Sequence, residues 1–199
     1  MVYDGIFTEG FLADEGKITW TNGDKYKGEF KRSIPEGKGK FTWADGSVYE
    51  GDFVDGYPAG EGVKVLASGD RFEGEFVNGK PNGQGTMTTI DGDVYKGTFK
   101  NGFPEGKGAV TFANGDSYEG NFVKGSANGE GIKVFANGDK REGIFRNGLL
   151  NGYGIRTYSN GGWLEGEFED GFLKKERDIF YGIRERAMKA SSRTKCRMV

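Results

Sequence analysis

The chain has 199 residues, 37 of them glycine, and a formal net charge of −2. Its 16 Phe, 9 Tyr and 3 Trp exclude a disordered glycine linker, its 4 prolines exclude a polyproline rod, and the lack of histidine excludes an imidazole base, shuttle or metal ligand. A single cysteine, Cys196, excludes an intrachain disulfide, the charge balance gives no pull toward nucleic acid, and no run reaches the roughly 18 apolar residues of a membrane span.

Met1–Gly5 shows no basic region followed by an apolar stretch, so no signal peptide is expected and a reduced, cytoplasmic setting fits. From Tyr3 onward the chain repeats itself. Glycine at 5, 28, 51, 74, 97, 120, 143 and 166 recurs every 23 residues, and a phenylalanine follows two residues after each. Two residues before stand Tyr3, Tyr26, Tyr49, Phe72, Tyr95, Tyr118, Arg141 and Leu164. A Gly-x-Gly pair, a bulky column (Trp20, Trp43, Leu66, Thr89, Phe112, Phe135, Tyr158) and a turn glycine complete each unit. Units therefore start at 3, 26, 49, 72, 95, 118, 141 and 164, and the array is expected to occupy residues 1–172.

One unit shows the physics. Tyr95–Phe99 alternates with period two, so Tyr95, Gly97 and Phe99 share a strand face. Asn101-Gly102-Phe103-Pro104 is turn chemistry, Gly106–Phe112 reads as a second strand, and Asn114-Gly115 closes the unit with a strong hairpin signal. Pairing Phe99 with Gly108 would put Tyr95 beside Phe112 and Gly97 beside Val110, laying a ring over a glycine that has no side chain of its own. Three departures stand out. Asp14 and Ser33 replace glycines of the pattern, and Arg141 puts a charge into the aromatic row, to be met by a neighbouring ring such as Tyr118 or by a partner's carboxylate.

From Leu173 the repeat stops. Residues 173–199 carry nine Lys/Arg and three Asp/Glu, a net of +6 against −8 for the rest. Ile179, Phe180, Ile183, Ala187 and Ala190 recur at helical spacing, which predicts an amphipathic helix over 173–190 with its body at Lys175–Ala190, then a flexible basic tail at 191–199. That helix is expected to cover the open edge of the last strand or to lie on an anionic membrane, with Lys174, Lys175, Arg184, Arg186, Lys189, Arg193 and Lys195 as the lipid-facing cations. Cys196 stands fourth from the end, the position of a prenylated cysteine, although the last residue, Val199, and the charged Arg197 fit that signal poorly.

The succession Tyr118-Glu119-Gly120-Asn121-Phe122-Val123-Lys124-Gly125, followed by Gly-x-Gly and Asn-Gly-Asp, resembles the MORN (membrane occupation and recognition nexus) repeat, and the resemblance runs from residue 3 to 171. It implies an all-β array: an elongated, twisted, single-layer antiparallel sheet of 23-residue β-hairpins, here followed by one C-terminal α-helix. At roughly 4.8 Å per strand such an array would extend about 70–75 Å. The resemblance also implies adaptor work at cytoskeleton–membrane junctions. An array with a short basic C-terminal segment is similar to retinophilin-type members, which bind the tail of a class III myosin.

An enzyme is disfavoured. Glu119, Glu142 and Glu165 recur as solvated neighbours, not as an acid/base pair, and Gly83-Gln84-Gly85 lacks the helix and Lys-Ser/Thr of a phosphate loop. No cofactor or metal is expected. The leading expectation is an interaction scaffold with a ring-lined groove for a partner peptide or helix, built from Tyr49, Phe72, Tyr95, Phe112, Tyr118, Phe135, Arg141 and Tyr158. The alternatives are a peripheral module binding anionic phospholipid, mainly through the basic C-terminal segment, and self-association, as in a homodimer formed through an exposed array end. The expected location is cytoplasmic, at cytoskeleton or membrane.

Overall fold

The computed structural model describes residues 1–174 and 180–183. The chain divides into two units, Met1–Phe103 and Pro104–Val199. The first holds β1 (Val2–Thr8), β2 (Phe11–Thr19), β3 (Lys25–Lys31), β4 (Ile34–Thr42), β5 (Val48–Val54), β6 (Tyr57–Val65), β7 (Arg71–Val77), β8 (Lys80–Thr88) and β9 (Val94–Lys100). The second holds β10, which starts at the boundary (Phe103–Thr111), β11 (Ser117–Val123), β12 (Ser126–Val134), β13 (Lys140–Arg146), β14 (Leu149–Thr157), β15 (Gly162–Glu169), β16 (Phe172–Leu173) and β17 (Phe180–Ile183). Within each unit successive strands up to β16 pair antiparallel, and β17 joins β15, so the architecture is the expected all-β array of hairpins.

The hairpin register differs from the expected one, by four residues at the phenylalanine and by two from the strand glycine onward. Gly51 faces Gly62, Tyr49 faces Lys64 and Phe53 faces Pro58, and the same columns face each other in the hairpin Ser117–Val134. The cause is a two-residue turn, which brings proline opposite phenylalanine, and a bulge between that pair and the glycine pair then takes back two of the four residues. In β3–β4, Gly28 faces Gly39 and Phe30 faces Pro35, so Glu36, Gly37 and Lys38 bulge out opposite the single residue Glu29. The Glu29 carboxylate accepts the freed Lys38 N–H at 3.1 Å, and Glu75 does the same for Gln84 at 2.8 Å. The carboxylates between the strand glycine and phenylalanine thus complete the bulge.

A ring does lie over glycine, but the tyrosine of the hairpin supplies it. A Cβ on Gly39 would sit 2.5 Å from Cε2 and Cζ of Tyr26, so only glycine fits there. The hydroxyls of Tyr26 and Tyr49 each donate to the bulge carbonyl three residues on, at 3.0 Å. Burial is the first cause that pushes the Tyr49 phenol up to about 12.

In the regular repeats each phenylalanine then wedges between the tyrosine-column ring of its own repeat and that of the preceding one. Phe53 meets Tyr26 at 4.8 Å and Tyr49 at 5.2 Å, edge to face, and Tyr118 lies between Phe122 and Phe145 in the second unit. This ring stack is the core. Such pairs add about 0.5–1.5 kcal/mol each beyond the area they bury. Turns fasten one repeat to the next. The Asp24, Asp70, Asp116 and Asp139 carboxylates accept N–H groups from the next repeat's turn, and Gly56, Gly79 and Gly125 donate to the carbonyl of the preceding repeat's proline.

Where the pattern departs, the packing compensates. Asp14 and Ser33 keep the positive φ of the glycines they replace, at 55° and 64°. Leu150 stands in the proline column and is fully buried, its δ-methyls lying over Gly143 and Gly154. It fills the space that a ring at position 141 would occupy, which frees Arg141 to leave the core. Leu12 does the same over Gly5 and Gly16.

At the C-terminal side the predicted helix meets a difference. Phe180–Ile183 form a strand on β15, with Glu165 facing Phe180 and Gly162 facing Ile183. The run Phe-Tyr-Gly-Ile suits a strand, Gly182 weakens a helix, and the edge of β15 offers unpaired backbone groups. The rest of that helix, 175–179 and 184–190, lies outside the described residues, as does the tail at 191–199.

Candidate functional site

Half of the nominated groove residues belong to the core. Tyr49, Phe72, Tyr95 and Tyr118 are buried in the ring stack, at most 6 % exposed, because each is covered by its glycine pair on one side and by phenylalanines on the others. They hold the sheet and are not open to a partner. The bulky column is different. Phe112 and Phe135 are half-buried, Tyr158 is exposed, and Trp20 and Trp43 are half-buried in the first unit.

These rings share the tyrosine face, because the residue two positions before each one pairs directly with a residue of the tyrosine column. Phe41 faces Tyr26, Lys64 faces Tyr49 and Lys133 faces Tyr118. In the first unit Trp20, Phe41 and Trp43 form a chain of contacts at 5.4 and 4.7 Å, and Lys64 Nζ lies 4.6 Å from the Trp43 ring centre. Burial lowers the Lys64 ammonium, against the pull of Asp45. In the second unit Lys133 lies over both Phe112 and Phe135, at 5.6 and 5.0 Å. The Arg141 guanidinium lies 4.6 Å over Phe135, so a ring does receive it, though Phe135 and not Tyr118. Arg156 lies 5.2 Å over Phe168.

Lys133, Arg141 and Arg156 face one another directly on β12, β13 and β14. All three are half-buried, and none forms an ion pair among the described residues. Burial first, then Arg156, holds Arg141 below its ordinary value, with Asp139 opposing. The first unit has a row of the same length on its opposite face: Lys17, Lys27 and Lys40 face one another on β2, β3 and β4 along a cleft that also touches Gly16, Gly28 and Gly39. These lysines are exposed; among the described residues only Lys40 forms an ion pair, with Glu50 at 3.2 Å, and Lys17 faces Asp4 across the strands.

Sequence reasoning missed Lys133, Arg156, Lys64, Phe41, Trp20 and Trp43 as site residues. The two-residue register difference hid four of them, since the correct pairing puts positions 41, 64, 133 and 156 beside the tyrosine column. Of the lipid-facing set, Lys174 is exposed and pairs with Glu169 at 3.3 Å. Lys175, Arg184, Arg186, Lys189, Arg193, Lys195 and Cys196 lie outside the residues whose side chains are described. Glu119 and Glu142 are exposed, and Glu142 pairs with Lys140 at 3.0 Å. Among the described residues no cluster of acidic or thiol side chains could hold a metal ion, and no helix is long and apolar enough to cross a membrane.

The chain is similar to solved structures at low identity. The TCP domain of SAS-4 from Drosophila melanogaster, solved with a proline-rich motif of Ana2, is 13 % identical, with a TM-score of 0.48 over 77 % of this chain and 84 % of that one. The TCP10 domain of Danio rerio CPAP is 14 % identical, with a TM-score of 0.31 over 77 % and 84 %. At such scores neither carries an argument about role. No curated protein matches the chain. The model of the MORN repeat, by contrast, matches residues 3–25, 26–48, 49–71, 72–94, 95–117, 118–140 and 142–163. The chain therefore belongs to the MORN repeat family, whose repeats generally serve as non-enzymatic modules for protein or membrane interaction.

Proposed function

We propose that the chain is a non-enzymatic scaffold that holds a segment of a protein partner on the tyrosine face of its repeats. The observation that carries this reading is the recurrence, at one repeat position, of half-exposed rings with cations above them: Lys64 on Trp43, Lys133 on Phe112 and Phe135, Arg141 on Phe135. Aromatic rings and arginine dominate binding energy at protein interfaces, and a ring already anchored in a sheet loses little freedom when a partner covers it. The adaptor role between myosin-like cytoskeletal proteins and membrane, implied by the family, is part of this proposal.

The test compares wild type with a Trp43→Ser, Phe112→Ser, Phe135→Ser variant as bait in cell extract, with thermal melting of both. Specific recovery of a protein by wild type, lost in a variant that still melts cooperatively, is the expected result. Equal recovery by both baits overturns the reading.

A further inference from the structure

We propose that the Lys133–Arg141–Arg156 row is a carboxylate site, which takes acidic side chains of a partner segment whose apolar side chains rest on Phe112 and Phe135. The inference rests on the reading that the ring face is the docking face, and it names the chemistry of what docks there.

Four observations carry it. Like charges directly opposite in a sheet repel, yet three cations stand in one register on adjacent strands. They are half-buried, where water screens that repulsion poorly. The one carboxylate whose charge bears on Arg141, Asp139, forms no ion pair with it and is shared: it accepts the Ser159 N–H at 2.8 Å and the Asn137 side-chain amide at 3.2 Å. Arg156 spends one terminal nitrogen on the Gly171 carbonyl, while its Nε is buried without a partner among the described residues. An anion on this row would relieve the repulsion, and arginine forks match the two oxygens of a carboxylate.

The setting selects a peptide over a flat anionic surface. The cations sit among rings, so a ligand must bring apolar groups beside its charge. The turns that flank the rings carry Asp116 and Asp139, which would face an anionic plane but not a narrow chain lying across the strands. Directly facing strand residues are about 5 Å apart. Side chains at i and i+4 of a helix are about 5–6 Å apart. An amphipathic helix with glutamates at that interval therefore meets the row charge for charge.

The experiment measures fluorescence anisotropy of two labelled peptides, (Glu-Leu-Ala-Ala)4 and (Gln-Leu-Ala-Ala)4, with the full chain and its variants. The glutamate peptide is expected to bind wild type at least about tenfold more tightly, a difference of about 1.4 kcal/mol. Arg141→Gln should remove that preference, and Arg141→Lys should keep part of it because the charge remains while the fork is lost. Phe112→Ser with Phe135→Ser should weaken both peptides, which reports on the docking face itself. Equal binding of the two peptides, with both sensitive to the ring variant, overturns the carboxylate site and leaves the docking face standing. A preference that survives Arg141→Gln overturns it as well. So does the absence of peptide binding alongside Arg141-dependent binding to phosphatidylglycerol vesicles, whose headgroup anion is a phosphate alone and which would assign the row to lipid phosphate.

Discussion

Two rows of three cations stand in cross-strand register, one in each unit, and they rest on different ground. Lys17, Lys27 and Lys40 lie on the face opposite the tyrosines, exposed along a cleft lined by glycines and by Asp4, Glu15 and Glu50. Lys133, Arg141 and Arg156 lie on the tyrosine face, half-buried, on Phe112, Phe135 and Phe168. The first row is spread through water, where charges a few ångströms apart interact by about 1 kcal/mol and salt screens them further. The second row has its attraction to the rings in place of water, and there each contact counts for more. The same register thus yields a tolerated surface feature in one unit and a prepared surface in the other.

The comparison assumes that the frame beneath the two rows is the same, and glycine substitutions test that most severely. Gly39→Ala puts a methyl 2.5 Å from the Tyr26 ring, and Gly131→Ala puts one 2.6 Å from the Tyr118 ring. Neither ring can move, because phenylalanines hold it from both sides. Each change is expected to destabilise by about 3 kcal/mol or more, and by similar amounts, in urea unfolding followed by tyrosine fluorescence. A mild effect at Gly131 alone would mean that the second unit is held differently, and the comparison would fail.

The next test returns Arg141 to the column it left. Arg141→Tyr places a ring where the δ-methyls of the fully buried Leu150 lie, at an expected cost of about 1–3 kcal/mol. In the preceding hairpin Tyr118 coexists with Ala127, so Leu150→Ala should make room. The double variant is expected to be more stable than the sum of the single changes by at least about 1 kcal/mol in a double-mutant cycle. Simple additivity would show that Leu150 does not stand in for the missing ring.

The same residues show how far the sequence could be read. The 23-residue period and the strand and turn types were legible, because glycine, aromatic and Asn-Gly columns act locally. The register was not, because the turn closes on two residues where four were expected to lie in it, and the three residues that bulge opposite Glu29 then shift the pairs beyond them by two. That shift hid Lys133 and Arg156, which no local pattern marks. It also made the tyrosines look available when they are the core. The exchange of Pro for Leu at 150 looked unrelated to that of Tyr for Arg at 141, since only packing across the hairpin joins them. At 179–183 the apolar spacing fitted a helix, and the open edge of β15 decided for a strand at Phe180–Ile183.

The smallest effect separates the two rows by their screening. Lys27→Glu sets an acid between Lys17 and Lys40, turning two repulsive cross-strand pairs into attractive ones. Each pair of this kind is worth about 0.2–1 kcal/mol, so the variant should melt slightly above wild type at low salt. At about 1 M NaCl, where the screening length is about 3 Å, the gain should vanish. The difference between wild type and Arg141→Gln should change little over the same range, because half-buried charges are screened less. A Lys27→Glu gain that persists in high salt would have to come from something other than charge. An Arg141→Gln difference that fades with salt would place its row in water too, and the two rows would then differ only in their faces.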